Sequence, residues 1–192
     1  MLEMVLEQEQ HQACAEIERL AAARAIELVL PAFALLEPHH TIVRRKLDRR
    51  SLYDGLGKTM QQLQRTASIA PDIPRLQDAA LLLVRADQEA SERFRELRTR
   101  LLEVGHVVGI DGKTLRAASD LTMEIDLELP DALMLATVLD DAKQRPSPSI
   151  FINRNTKDFD DPDVKALLRA VSCDLIGSFD DGLARIRNAL EA

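Results

Sequence analysis

The sequence IFINRNTKDF at residues 150–159 decides the predicted fold, together with ELPDALMLA at residues 128–136. The first stretch opens with three apolar residues that are typical of a short buried strand, and it continues at once into a polar turn at 153–158. A packed core cannot hold that many polar groups without partners. Because open α/β sheets bind ligands at the ends of their strands, this turn is a candidate binding site.

The second stretch predicts a buried helix that carries a carboxylate at its start. Pro130 suits the first helical position, Asp131 falls in the first turn, and the apolar run at 132–136 is typical of a buried segment. Taken alone, Asp131 is also explained by the positive end of the helix dipole, and Asp158 by a turn in which its side chain bonds its own backbone. Together, the two stretches indicate a site where a helix start meets a strand end.

Strand and helix patterns alternate along the chain, which predicts an α/β fold. Short apolar runs between turn residues indicate strands, and amphipathic periods indicate helices. The predicted strands are 25–30, 149–153 and 173–177, and the predicted helices are 2–23, 130–143, 163–170 and 179–190. This order predicts three layers, with a short parallel sheet and helices on both of its faces.

The middle section of the chain, about residues 51–121, is predicted to be helical. Residues 75–102 carry its longest helical period, and the charged outer part of that helix is expected to cover the core or to project towards a partner or a second copy. Residues 105–112 predict a glycine-punctuated connector, and 122–129 an edge strand or an extended lead-in, because apolar residues alternate there. Pro38 is expected to kink a helix or to mark its start.

The composition indicates one domain over residues 1–192, since 192 residues at 46% hydrophobic can form a sizeable core. Aromatic residues make up only 3% and Trp is absent, which argues against a surface that stacks single-stranded bases. The net charge of -7 removes any general attraction to nucleic acid. RNA binding would therefore need a local basic patch.

Cysteine usage and hydropathy predict a cytoplasmic protein. Cys14 and Cys173 are far apart and lie in apolar surroundings, as expected of buried reduced thiols rather than of a disulfide or a metal pair. The sequence has no charged-then-apolar leader and no apolar run near the roughly 18 residues that span a membrane.

The basic residues are densest at 44–50, where five of seven positions are Arg or Lys. Such a cluster is either a solvated helix face or a place where RNA phosphates bind. Just before it, Glu37 stands near a helix start or bend, where the helix dipole favours an acid. His39 and His40 point away from each other on a helix and lack a third ligand at metal-binding spacing, so both are predicted to be surface residues.

The helix start at 128–136 and the turn at 153–159 resemble the C-terminal half of PIN-domain proteins. These proteins are mostly metal-dependent ribonucleases, and many bacterial toxins are among them. The residues that carry the resemblance are Asp131, Ala132, Leu133, Leu135, Ala136, Asn153, Arg154, Asn155, Asp158 and Phe159. Glu37 matches the acidic position that PIN proteins carry on the helix after their second strand.

The resemblance implies roles for individual residues. Glu37, Asp131 and Asp158 would be the catalytic carboxylates, and Asn155 would join them as a ligand of Mg²⁺ or Mn²⁺, cations that prefer oxygen ligands. The residues implied in RNA binding are Arg44, Arg45, Arg154 and Lys157. RNA is the implied substrate. An antitoxin-like protein is the implied partner of toxin-type members, and a homodimer is a further expectation.

The chain departs from the family at its beginning. PIN domains open with a central strand that ends in an Asp-Thr/Ser-Asn motif, whereas this sequence begins at Met1 inside what resembles the following helix. In the family's strand order, predicted strands 25–30 and 149–153 would flank this missing first strand. The sheet would then close across the gap or leave backbone groups unpaired, at about 1–3 kcal/mol each. The natural chain is expected to start upstream, or else the site is weakened.

Two other functions are consistent with the same residues. The first is a catalytically silent PIN-like module that holds a protein partner. The second is an acidic helical interaction domain without a sheet.

Overall fold

The computed structural model describes residues 1–191, and this part of the chain is mostly helical. The helices are α1 Leu2–Val5, α2 His11–Ala22, α3 Ala32–Leu63, α4 Ile73–Val104, α5 Gly112–Glu124, α6 Leu129–Lys143, α7 Thr156–Phe159, α8 Pro162–Ala170 and α9 Phe179–Glu191, with one 3₁₀ turn at Ala70–Asp72. The strands are β1 Val29–Pro31, β2 His106–Val108, β3 Ser149–Ile152 and β4 Cys173–Ile176.

The predicted three-layer α/β fold around one parallel sheet is wrong. Strand β1 pairs in parallel only with β2, and β3 pairs in parallel only with β4, so residues 1–191 contain two separate two-stranded sheets. The strands are three or four residues long, shorter than is typical in globular proteins, and each pair offers few backbone hydrogen bonds. No strand ladder joins β1 to β3 in this part of the chain, so the sheet does not close across the gap expected beside them.

Three local predictions differ in part from the structure. Helix α5 continues to Glu124, and the apolar alternation at 122–129 forms no strand, whereas Ile125 and Glu128 are extended, in agreement with the alternative of an extended lead-in to α6. Met123 is 87% exposed. The connector at 105–112 contains strand β2, which its flanking glycines concealed. Helix α3 runs from Ala32 through Pro38, so this proline does not mark the helix start, and the alternative, a kink at Pro38, stays a prediction.

The C-terminal predictions agree with the structure. Strands β3 and β4 and helices α6, α8 and α9 occur where the sequence placed them. The Asp161 carboxylate caps α8 by accepting a hydrogen bond of 2.7 Å from the Asp163 amide. The Ser178 hydroxyl accepts one of 3.1 Å from the Asp181 amide at the start of α9. Cys14 and Cys173 are buried and free.

Apolar clusters hold β3 from two sides. Phe151 packs against the cluster that surrounds α6 and α8, which includes the fully buried Leu135 and Leu168. Ile150 and Ile152 pack against a second cluster, formed by α2 and α9. Because alternate residues of a strand point to opposite sides, β3 is anchored in both clusters. Its end is thereby fixed beside the start of α6.

Helices α3 and α4 form a long antiparallel hairpin. Its inner end is a third apolar cluster, in which Leu35 and Ile42 join Phe94 and Leu97. We call residues 44–63 of α3 and 73–92 of α4 the outer hairpin. Although both helices are long, no helix within residues 1–191 is also apolar enough to cross a lipid bilayer.

Gly105, at the junction of α4 and β2, leaves no room for a side chain. A Cβ there would lie 2.8 Å from the Leu101 carbonyl oxygen and would overlap the Leu30 side chain. We expect Gly105→Ala to lower the free energy of unfolding by about 1–3 kcal/mol, as measured by urea denaturation. Gly109→Ala is the matched control because nothing lies within 4 Å of its Cβ position, and equal stability of the two variants would contradict the prediction.

Candidate functional site

Asp131 lies in the first turn of α6, as the sequence predicted. Residues 134–137 of this helix are all buried, and four consecutive residues go once around a helix, so α6 is covered on every side at this point. Asp131 itself is only half-buried. The fold therefore holds the helix rigidly and leaves its acidic first turn at the edge of the core.

The polar turn after β3 contacts Asp131 directly. The Asn155 side-chain amide donates a hydrogen bond of 3.2 Å to an Asp131 carboxylate oxygen. The turn is shaped by Asn153, whose side-chain oxygen accepts a hydrogen bond of 2.9 Å from the backbone N–H of Asn155. Two segments that are separate in sequence thus meet at the predicted site.

The surroundings of Asp131 disfavour its charged form. Burial raises the pKa of Asp131, and the negative charges of Asp158, Glu37 and Glu128 raise it further. The hydrogen bond from Asn155 acts in the opposite direction and lowers this pKa. The net effect is a raised pKa. Such a combination of partial burial and like charges is typical of functional carboxylates, although structural networks also produce it.

Glu37 reaches this region because the first turn of α3 packs on α6. Phe33 and Ala34 contact the apolar cluster around α6, and Glu37 follows one helical turn later. Its side chain is exposed, whereas Asp158, in the short helix α7, is half-buried. The three predicted catalytic carboxylates, Glu37, Asp131 and Asp158, therefore come from three separate elements.

These carboxylates are not gathered into a finished metal centre. Within residues 1–191, no three His, Cys, Asp or Glu side chains are arranged so that they could hold a metal ion. The acids affect the pKa of Asp131 because charge interactions act over longer distances than coordination bonds do. Cation binding would require the exposed Glu37 or the half-buried Asp158 to turn towards Asp131.

The four basic residues predicted to bind RNA lie on two elements, Arg154 and Lys157 in the turn after β3 and Arg44 and Arg45 on α3. Arg154 forms an ion pair with Glu3, which is only 5% exposed, and Glu3 also accepts a hydrogen bond of 3.0 Å from the Gln10 amide. Lys157 is exposed on the same turn. Arg44 and Arg45 lie on α3, seven and eight residues after Glu37, which is about 10 Å along the helix.

Sequence reasoning missed two acidic residues near this site. Glu128 precedes α6 and acts on Asp131, and its closeness to Pro130 in the sequence was an available signal. Glu3 is buried against Arg154, which is 151 residues away in the chain. No local pattern marks Glu3, because it stands among apolar residues in an ordinary helical period.

Comparison with protein-family models, with curated proteins and with solved structures found no match to this chain. The site is therefore interpreted from its own geometry.

The raised pKa of Asp131 predicts a specific dependence of stability on pH. The folded state holds the Asp131 proton more tightly than the unfolded state, so ionisation of Asp131 destabilises the fold as the pH rises above the ordinary value of 3.8. We expect Asp131→Asn to raise the free energy of unfolding by about 1 kcal/mol at neutral pH, measured by urea denaturation. This gain should shrink as the pH approaches 3.8.

Asp120→Asn is the matched control for that experiment, since Asp120 is an exposed acid on α5. We expect it to change stability by less than about 0.5 kcal/mol at any pH. A loss of stability in Asp131→Asn at neutral pH would show that the carboxylate is favourably placed and would contradict the prediction.

The ion pair between Arg154 and Glu3 predicts that Arg154 supports the fold. Removing the guanidinium leaves a buried carboxylate without its charged partner, so we expect Arg154→Ala to cost about 2 kcal/mol in thermal or urea unfolding. Lys157→Ala, on the same turn but exposed, should change stability by less than about 0.5 kcal/mol. Equal effects of the two substitutions would rule out this role for Arg154.

Proposed function

We propose that this chain is a PIN-type ribonuclease that depends on Mg²⁺ or Mn²⁺. The observation that supports this most is the contact between Asn155 and Asp131, on a carboxylate whose pKa is raised by the charges of Asp158 and Glu37. All four residues were predicted from the sequence as one site. Oxygen ligands from separate elements are what a hard divalent cation requires.

The side-chain oxygens of these residues are the type of ligand that Mg²⁺ and Mn²⁺ prefer. The carboxylates of Asp131, Asp158 and Glu37 supply charged oxygens, and Asn155 supplies a neutral amide oxygen once its side chain is turned. A bound cation would supply Lewis acidity and an activated water for phosphodiester hydrolysis. The protein residues would fix the position of the cation and leave one side open for the phosphate.

The RNA backbone would be held by local basic residues, because the net charge of the chain is -7. Arg44 and Lys157 are exposed, and within residues 1–191 neither forms an ion pair with an acidic side chain. Arg45 is half-buried on the same helix as Arg44. Arg154 would act indirectly, by holding the turn that carries Asn155.

We place this activity in the cytoplasm, since two free buried thiols suit a reducing compartment. The antitoxin-like partner that toxin-type members have stays a prediction.

Cleavage of single-stranded RNA in the presence of Mn²⁺ tests the proposal. We expect the full chain to cleave a fluorescently labelled oligoribonucleotide, and chelation by EDTA to abolish cleavage. Asp131→Asn should reduce the rate by about 100-fold or more, since it removes a charged ligand, whereas Asp120→Asn should leave it unchanged. Cleavage that survives both chelation and Asp131→Asn would end the proposal.

The second candidate function is a silent module that binds a protein partner. The lack of a complete three-ligand cluster within residues 1–191 favours it, as do the exposed apolar side chains of the outer hairpin. Isothermal titration calorimetry with MnCl₂ separates the two functions. The nuclease requires heat of binding that disappears in Asp131→Asn, and the silent module predicts no such heat in either protein.

A further inference from the structure

We propose that Glu3 is a positioning residue of the candidate site. Through Arg154, it holds the turn at 153–155 in the conformation that places the Asn155 side chain on Asp131. The inference rests on the proposed function, because it concerns the geometry of the same carboxylate site. It deepens that function by assigning a role to α1, a helix that contributes no predicted ligand.

Glu3 is a buried acid, and both of its carboxylate oxygens have partners. Its exposed fraction is only 5%. One oxygen forms the ion pair with the Arg154 guanidinium, and the other accepts a hydrogen bond of 3.0 Å from the backbone N–H of Gln10. Because a buried carboxylate without partners is costly, these two contacts determine where the Glu3 side chain lies.

Gln10 links this carboxylate to the start of α9. It immediately precedes α2, and its side-chain oxygen accepts a hydrogen bond of 2.7 Å from the backbone N–H of Phe179, the first residue of α9. The contacts of Glu3 and Gln10 therefore join α1, α2, α9 and the turn after β3. Segments from the two ends of the sequence thus meet beside the candidate site.

Helix α1 is itself fixed on the rest of the molecule. Val5 is completely buried, and its carbonyl oxygen accepts a hydrogen bond of 2.8 Å from the Arg93 guanidinium on α4. Leu2 and Met4 pack against the apolar cluster that contains Val5. Glu3 is therefore presented by a fixed helix, and a side chain that pairs with it loses freedom as well.

Arg154 carries this constraint to the candidate site. It stands between Asn153 and Asn155, so the position of its side chain restricts the peptide units on both sides. Asn153 bonds the backbone of Asn155, and Asn155 bonds Asp131. Of these three turn residues, only Arg154 bonds a side chain of α1 within residues 1–191. The ion pair is thus the link between the turn and α1.

The contact between Asn155 and Asp131 tolerates little displacement of the turn. Its length of 3.2 Å is at the long end of the range for N–H···O hydrogen bonds. A shift that lengthens it by a few tenths of an ångström would break it. Groups that orient the ligands of a cation typically change its affinity by about 10–100-fold. Glu3 can therefore affect the site without touching a ligand.

Hydrogen exchange of the Asn155 side-chain amide, measured by NMR without added cation, tests the proposal. Both partners of Glu3 are donors, and glutamine offers a single acceptor oxygen, so Glu3→Gln leaves one of the donors unpaired. We expect the Asn155 side-chain protons to exchange about tenfold faster or more in this variant, because they lose their carboxylate partner.

Two variants serve as controls. Glu9→Gln makes the same substitution at an exposed position of the same segment and should leave the exchange unchanged. Gly105→Ala is expected to destabilise the fold at the junction of α4 and β2, away from the turn. It should also leave the Asn155 exchange unchanged, so that a local effect is separated from a general loss of stability.

Arg154→Ala removes the same link from its more exposed end and serves if Glu3→Gln does not fold. It should speed the exchange by a similar factor. The double variant should exchange no faster than either single variant, because two residues in one network are not additive. Unchanged exchange in both single variants would overturn the proposal, as would effects that multiply in the double variant.

Titration with MnCl₂ separates this inference from the proposed function. If the wild-type chain binds Mn²⁺, Glu3→Gln should weaken binding by about tenfold or more, and equal affinities would contradict a role of Glu3 in the site. A wild-type chain that binds no Mn²⁺ would end the proposed function. The exchange experiment, which contains no cation, decides the role of Glu3 at Asn155 in either case.

Discussion

The burial of the middle of α6, on every side at residues 134–137, is the constraint on which the arrangement of this protein depends. Apolar residues from α5, α8 and the start of α3 surround the helix together with Phe159 and Phe151. Because α6 is covered on every side where residues 134–137 lie, it can neither rotate nor slide without exposing apolar surface. The position of its first turn, and with it Asp131, follows from this packing rather than from any polar contact.

The acidic region, formed by Asp131, Asp158, Glu37 and Glu128, lowers local stability. Asp131 loses hydration by partial burial and stands among the negative charges of Asp158, Glu37 and Glu128, while a single amide hydrogen bond from Asn155 opposes these effects. A carboxylate in this position does not help the chain to fold. Unfavourable charge clusters occur often at functional sites, which is the physical reason behind our proposal of a cation site here.

The outer hairpin, in contrast, exposes apolar side chains and contains few buried ones. Its inner end shares the cluster of Leu35, Phe94 and Leu97 with the rest of the molecule, but the helices continue well beyond that cluster. Intrinsic helix propensity alone stabilises a helix only slightly, because tertiary packing supplies most helical stability in proteins. The exposed leucines on these helices are covered by no other segment of residues 1–191.

The amino-acid sequence by itself determined the features that depend on near neighbours. Helix starts at Asp161 and Ser178, the short strands β3 and β4, and the buried character of α6 all follow from side chains a few residues apart. The residues that could form the acidic region could also be named from the sequence. Asp131, Asn155 and Asp158 stand at helix and strand ends whose order along the chain is fixed.

Only the tertiary structure decided how distant segments pair. The sequence indicated strands but not that β1 would join β2 while β3 joined β4, so that two small sheets formed where one was predicted. It also gave no sign that Glu3 would pair with Arg154, because the two residues are 151 positions apart. Local propensity acts over a few residues, whereas strand partners and buried ion pairs depend on which surfaces the whole chain brings into contact.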